Sequence, residues 1–336
     1  MDSKKLEKVL IIQTAFIGDV VLATPLIEAL HLAFPNARID FLLRKGNEGL
    51  LSNHPFLNKV LIWDKKAQKT KNLLQIIKQV REEKYDAVFN AQRFFSSGLI
   101  TARSGAKYTV GFDKNPLSFT FTKKVSHHIS EQGTQHETDR NLQLLSDYID
   151  QPKAKMHLYP HEADFEKVAI YKNEDYLIIA ASSVWFTKQF PKEKWIDFLI
   201  TLKTPYRIYF IGGPNDSAQA DEIIRQSKAV NCVNLCGKLN MLESAALMQD
   251  AKMNYVNDSA PMHFASAMNA AVAAIFCSTV PEFGFGPKSE NSYIIENNED
   301  LPCKPCGLHG KKACPEEHFK CALDIKSEQL ISVLEK

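Results

Sequence analysis

The chain has 336 residues, 45% of them hydrophobic and 24% charged, and a formal net charge of +2. That length exceeds one ordinary core and suits two domains of about 150 residues each. The weak charge excludes the basic excess of a nucleic-acid-binding surface, and no apolar run approaches the roughly 18 residues of a membrane span.

The first residues, Met1-Asp2-Ser3-Lys4-Lys5-Leu6-Glu7, lack the apolar core of a signal peptide and lead straight into a strand. Cys232, Cys236 and Cys277 lie in apolar surroundings, which suits a reducing cytoplasm better than a disulfide scaffold. The expectation is therefore a soluble cytoplasmic protein.

Strand patterns in the first half fall at Val9–Ile12, Arg38–Leu43, Lys59–Trp63, Ala87–Asn90 and Tyr108–Gly111. Val9–Ile12 has the continuous apolar character of a strand covered on both faces. Gly18 permits a tight turn after it, and an amphipathic helix follows to about Phe34. Asp19 thus stands between a parallel strand's carboxyl end and a helix start, where open α/β sheets bind ligands; by itself it also reads as a helix cap. Pro25 either kinks this helix or marks a second start capped by Thr24. Helices are predicted at Leu73–Glu83, Ser97–Ala102 and His136–Asp150, and Gln151-Pro152-Lys153 reads as a linker.

The second half repeats the rhythm, with strands at Tyr176–Ala180, Arg207–Ile211, Lys252–Val256 and Ala271–Phe276. Helices are predicted at Lys192–Leu202, Ser217–Ser227, Leu242–Asp250 and Pro261–Met268. Two successive βα series predict two parallel sheets, each with helices on both faces. The expected architecture is α/β, with two facing Rossmann-like domains, residues 1–152 and 153–336, and a ligand cleft between them.

Three loops of the second half carry polar groups. After Lys252–Val256, Asp258 and Ser259 are expected to cap a helix with Pro261 early in it, making an anion site of free backbone N–H groups. His263 would project from its first turn, although a locally satisfied histidine is as good a reading. After Tyr176–Ala180, Lys188 in Trp185-Phe186-Thr187-Lys188-Gln189-Phe190-Pro191 would reach a phosphate as a mobile charge, or be a solvated loop lysine. After Arg207–Ile211, Asp216 in Gly212-Gly213-Pro214-Asn215-Asp216 would accept from ribose hydroxyls or cap the next helix. Phosphate- and ribose-suited loops at one sheet end favour a nucleotide.

With Ile17-Gly18-Asp19-Val20-Val21, the Lys188–Pro191 and Gly212–Asp216 loops and Asp258-Ser259-Ala260-Pro261-Met262-His263, the chain resembles the heptosyltransferase family of glycosyltransferases. These are the ADP-heptose:lipopolysaccharide enzymes, glycosyltransferase family nine, and the likeness runs from Lys8 to about Ile325. The resemblance implies a GT-B fold and an inverting, metal-independent transfer of heptose from ADP-heptose to an inner-core sugar of lipopolysaccharide. It also implies Asp19 as the catalytic acid residue, with Ser183, Lys188, Asp216, Asp258, Ser259, Ala260 and His263 around the donor. Ala260 stands where the family commonly has glycine, and its methyl trims space beside the diphosphate.

Cys303, Cys306, Cys314 and Cys321 give the spacing C-x2-C-x7-C-x6-C, whose leading pair resembles a zinc knuckle, with His309 or His318 as substitute ligands. A loop whose thiols pack without metal is the favoured reading, because cysteine-rich tails recur in this family without implying metal in the reaction. No cofactor is expected for catalysis.

A lipid-anchored oligosaccharide acceptor is expected on the N-terminal domain, with Arg93 and Arg103, and further Lys107, His127 and His128, as groups for an anionic sugar or phosphate. It implies transient contact with the inner membrane surface. The rivals are a related enzyme using another nucleotide sugar for a different surface glycan and a non-catalytic glycan-binding scaffold. A dehydrogenase is disfavoured, because no G-x-G-x-x-G follows any predicted strand and glycine numbers only 14.

Overall fold

The computed structural model describes residues 5–130, 132–133 and 135–335. The leader expectation falls partly on residues 1–4, outside the described ones. The chain divides into two compact units, one of Met1–Ile129 with Gln135–Tyr159, the other of Ser130–Thr134 with Pro160–Lys336. The changeover lies between Tyr159 and Pro160 and not at Pro152–Lys153. Hydrogen bonds explain the added length: His157 N–H donates to Thr24 Oγ1 (3.2 Å) and the Tyr159 hydroxyl to Glu28 Oε1 (2.9 Å).

The first unit contains strands β1 (Lys8–Ile12), β2 (Arg38–Arg44), β3 (Leu57–Trp63), β4 (Ala87–Asn90), β5 (Tyr108–Phe112) and β6 (Lys123–Val125). All pair in parallel, in the order β3-β2-β1-β4-β5-β6. Its helices are α1 (Ile17–Leu22), α2 (Thr24–Ala33), α3 (Lys69–Glu82), α4 (Phe95–Arg103) and α5 (Glu137–Leu142). β1 lies centrally, and Val9–Ile12 are buried because helices cover both faces.

The long helix expected after Asp19 is two helices. α1 ends at Leu22, and α2 starts again with Pro25 in its first turn, where a missing N–H is harmless. Ala23, not Thr24, occupies the cap position, and the Thr24 hydroxyl donates back to Val21 O (2.8 Å). His136–Asp150 likewise breaks, into α5 and a 3-10 turn at Gln143–Leu145.

The second unit holds helix α6 (Glu162–Ala169) and strands β7 (Tyr176–Ala180), β8 (Arg207–Phe210), β9 (Cys232–Asn234), β10 (Met253–Asn257), β11 (Val272–Phe276) and β12 (Ser292–Glu296). They pair in parallel as β12-β11-β10-β7-β8-β9. Its other helices are α7 (Lys192–Thr201), α8 (Ser217–Ser227), α9 (Met241–Gln249), α10 (Ala260–Ala267), α11 (Lys320–Leu323) and α12 (Ser327–Ser332).

Counted within each unit, both sheets have the strand order 3-2-1-4-5-6 of a doubly wound fold. The direction of winding reverses between β1 and β4 in the first unit and between β7 and β10 in the second. Ligands bind such sheets beyond the carboxyl ends of the strands flanking this reversal. Among the described residues no helix is long and apolar enough to cross a membrane.

Candidate functional site

In the first unit the reversal point is occupied by the loops after β1 and β4. Gln13 Nε2 donates to Ala91 O (2.8 Å), and Thr14 Oγ1 donates to Gln92 Oε1, so buried side chains tie the two loops together. Asp19 follows at the third position of α1, where its Oδ2 accepts the Phe16 N–H (3.1 Å). It is therefore not the cap residue but the acid that reaches back to the cap backbone.

The Asp19 carboxyl is pushed up to about 6 from its ordinary 3.8, first by removal from water and then by the nearby Glu137 charge. The Phe16 and Asp19 N–H groups and Arg44 oppose the shift. Glu137 belongs to a buried cluster: His127 Nε2 lies 3.0 and 3.1 Å from its two oxygens, and Arg140 Nε donates to Oε2 (2.7 Å). A half-buried carboxylate held near neutral pKa is suited to taking a proton from a hydroxyl.

Two cations beside this edge escaped the sequence reading. Arg44 ends β2 and lies over the Phe16 ring, 4.7 Å from its centroid. Lys65 follows β3, donates to Thr14 O (2.7 Å) and sits 4.6 Å from the Trp63 ring centroid. Burial and Arg44 push the Lys65 ammonium down to about 8. Lys65 lines an open cavity with Trp63, Lys69, Thr70, Leu73 and Ser96. The signal of Arg44 and Lys65 was positional: each is a basic residue at the carboxyl end of a parallel strand.

The expected acceptor residues are scattered. Arg93 follows β4 at the same edge, its guanidinium 5.9 Å from the Phe94 ring centroid. Arg103 is the last residue of α4, at the opposite end of that helix from Arg93. Lys107 precedes β5 and pairs with Asp86, which precedes β4, at 2.8 Å. A βα crossover returns the chain to the amino ends of the strands, so Arg103 and Lys107 stand away from Asp19's edge. His127 is buried against Glu137, and His128 is exposed.

In the second unit the loops after β7 and β10 meet across the reversal point. Lys188 Nζ lies 2.5 Å from Asp258 Oδ2, with side-chain exposures of 15% and 7%. Lys188 is thus neither a solvated loop lysine nor a free charge. Thr279, just beyond β11, donates its hydroxyl to the same Asp258 oxygen (2.6 Å). Buried Asn257 ends β10 and fixes the Lys188 loop from both sides: Nδ2 donates to Ala181 O (2.8 Å) and Oδ1 accepts Phe190 N–H (2.9 Å).

The start of α10 differs from expectation. Ser259 occupies the cap position, but its hydroxyl turns back to Asn257 O (3.4 Å), and Asp258 is committed to Lys188 and Thr279. Pro261 has no N–H and Met262 N–H already donates to Ser259 O (3.1 Å), so the N–H groups this turn offers an anion are those of Ser259 and Ala260. His263 is buried in the first turn of α10.

Asp216 precedes α8, and its Oδ2 accepts Gly213 N–H (2.7 Å), so it already fastens its own turn. It also lines a small cavity with Ser182, Gln219 and Cys236 at the carboxyl ends of β7 and β8. Ser183 lies beside this, half-buried, with its carbonyl accepting Gln189 Nε2 (2.6 Å).

The cysteine tail belongs to the second unit's core. Cys321 is buried there with Cys277, and Cys314 packs against the same cluster. Burial pushes the Cys321 thiol up to about 12. Cys303 Sγ lies 3.9 Å from His318 Nε2, and the Cys306 thiol donates to Cys303 O (3.2 Å). Among the described residues no group of three or more His, Cys, Asp or Glu side chains is placed to hold a metal ion. Of the four thiols in this spacing, that of Cys321 lies in the core.

The sequence model of glycosyltransferase family 9 (heptosyltransferase) matches residues 73–319. The chain is 28% identical to lipopolysaccharide heptosyltransferase 3 of Escherichia coli K12 over 302 residues, 85% of this chain and 88% of that one. Among solved structures it resembles a family 9 glycosyl transferase from Veillonella parvula, with a TM-score of 0.82, 22% identity and coverage of 99% and 97% of the two chains. E. coli heptosyltransferase WaaC with ADP-2-deoxy-2-fluoro heptose gives a TM-score of 0.74 at 17% identity, covering 98% and 99%. These likenesses show the GT-B fold.

Proposed function

The chain belongs to glycosyltransferase family 9, and from that membership we propose that it moves heptose from ADP-heptose to an inner-core sugar of lipopolysaccharide, with inversion and without a metal ion. The relatives named lipopolysaccharide heptosyltransferases and the neighbour holding a fluorinated ADP-heptose support donor and acceptor. The observation that carries the reading is the Lys188–Asp258 pair at the second unit's reversal point, matched by Asp19 at the first unit's.

In this reading the tasks divide between units. An Asp19 oxygen takes the proton of the acceptor hydroxyl, whose oxygen bonds to the anomeric carbon. The bond from that carbon to the diphosphate oxygen breaks on the opposite face, and its electron pair leaves with ADP. Lys188 and the Ser259 and Ala260 N–H groups meet the growing charge, the work a metal ion does elsewhere. Asp258 and Thr279 hold Lys188 until the diphosphate arrives, Ser183 and Asp216 border the nucleoside, and His263 lies in the first turn of the helix whose start meets the diphosphate.

Arg44, Lys65 and Arg93 would hold the anionic acceptor, and Arg103 would not. The acceptor is lipid-anchored, so the enzyme would work at the cytoplasmic face of the inner membrane. Exposed Phe94, Phe95 and Phe119 support that contact, since Asn115 Nδ2 donates to Phe94 O (3.0 Å) and brings the Phe119 turn beside Phe94. A turnover screen of nucleotide sugars against lipid A–Kdo and heptosylated acceptors tests the proposal. Transfer from ADP-heptose alone is expected; preference for another nucleotide sugar would shift the reading to a different surface glycan. Nucleotide binding without transfer to any acceptor would reduce the protein to a scaffold.

A further inference from the structure

The cysteine-bearing tail packs against the donor-site lysine. Thr187, 1% exposed, donates its N–H to Lys311 O (3.1 Å), and its Oγ1 accepts both Lys311 N–H (2.8 Å) and the Ser278 hydroxyl (3.0 Å). Ser278 O in turn accepts Cys306 N–H (2.9 Å). The Phe186 ring stacks on Phe319, with centroids 5.3 Å apart. Buried Gly310 lies flat against the lysine itself. A Cβ built there would sit 2.6 Å from Lys188 Cγ and 2.5 Å from Trp185 Cβ.

Ser278 and Thr279 are adjacent, and together they reach both members of the ion pair. Thr279 fixes Asp258, while Ser278 fixes Thr187, the residue before Lys188. Segment 306–311 closes the remaining side, leaving the Lys188 stem between Gly310 and the Asp258 carboxylate. A charge at the end of four methylenes loses rotamer entropy on binding unless it is already held. We propose that segment Cys306–Lys311, through Gly310, Thr187 and Ser278, is a positioning clamp that sets the reach of Lys188 toward the donor diphosphate. This rests on the donor reading of Lys188 given above.

The test separates a clamp from general damage by comparing ligands that do and do not carry the diphosphate. In Gly310→Ala protein the new methyl must displace the Trp185 side chain or the lysine stem. ADP affinity, measured by calorimetry on protein shown to be folded, should fall about tenfold, while adenosine affinity holds. Thr187→Val, which keeps shape but leaves Lys311 N–H and Ser278 hydroxyl without an acceptor, should do the same, and Thr187→Ser should restore wild-type affinity. In a Lys188→Ala background, Gly310→Ala should have no further effect on ADP. Equal losses for ADP and adenosine, or additive losses in the double variant, would overturn the clamp. Unchanged ADP affinity in Lys188→Ala alone would overturn the donor reading and the clamp with it.

Discussion

Replacing Asp19 by asparagine separates its structural contribution from its chemical one. Asparagine keeps the shape of the side chain and an oxygen that can accept the Phe16 N–H, now at 3.1 Å from Oδ2, but removes the charge. The folded carboxyl titrates near 6 and the free one near 3.8. Between those values the native state keeps a proton that the unfolded chain has released, so stability falls as pH rises through that window. Above it, the folded protein holds a disfavoured carboxylate. The displacement sets a ceiling of about 3 kcal/mol, which partial exposure lowers to about 1–2 kcal/mol. The favourable charge at the start of α1 offsets a further 0.3–1 kcal/mol or so. Asp19→Asn should therefore match wild type in urea titrations at pH 4 and equal or exceed it at pH 7.5. Turnover at saturating donor should fall by about 10²–10⁴-fold, with ADP affinity unchanged. Near wild-type turnover in folded protein would refute the base assignment, and a clear loss of stability at pH 7.5 would refute the desolvation argument.

Lys188→Ala should weaken ADP binding by about 1.5–3 kcal/mol in calorimetry, the range for a charge-assisted contact, less whatever is recovered by freeing Asp258. The rate should rise with pH up to about 6 and level off above, because the base must be deprotonated. Glu137→Gln removes the like charge and should move that limb to lower pH, though not to 3.8, since desolvation is the larger cause. Initial rates should be unchanged in excess chelator; strict dependence on magnesium or manganese would rule out the proposed role of Lys188. Lys65→Met should raise the KM for an anionic acceptor while leaving donor KM unaltered, and equal changes in both would dissociate Lys65 from the acceptor.

Central strands were legible because burial on both faces writes a continuous apolar run. Ala87–Asn90 and Tyr176–Ala180 match their observed bounds, as does the amphipathic helix Ser217–Ser227. The strands missed are β6, β9 and β12, all at sheet edges, where one side is open and the apolar signal is diluted. The first unit's end was misplaced because Tyr159 and His157 are held by side-chain hydrogen bonds across more than a hundred residues of chain, which no local pattern records.

The site was legible where position alone decides. Asp19, Lys188 and Asp258 follow strands whose carboxyl ends flank the reversal points. What joins them was not legible. The pairing of Lys188 with Asp258, the hold of Thr279 on that pair and the nearness of Glu137 to Asp19 arise from tertiary packing between residues far apart in sequence. Arg103 misled because its charge was weighed without its place, at the far end of α4. The place of Cys321 in the core was not legible in the cysteine spacing, because that packing is tertiary.

The most direct measurement is the product formed from ADP-heptose of known anomeric configuration and a lipid A–Kdo acceptor, in excess chelator, resolved by NMR. The account expects a single heptosyl addition with the anomeric configuration inverted and one ADP released per transfer. A product of retained configuration, or formation only after metal is restored, would contradict it.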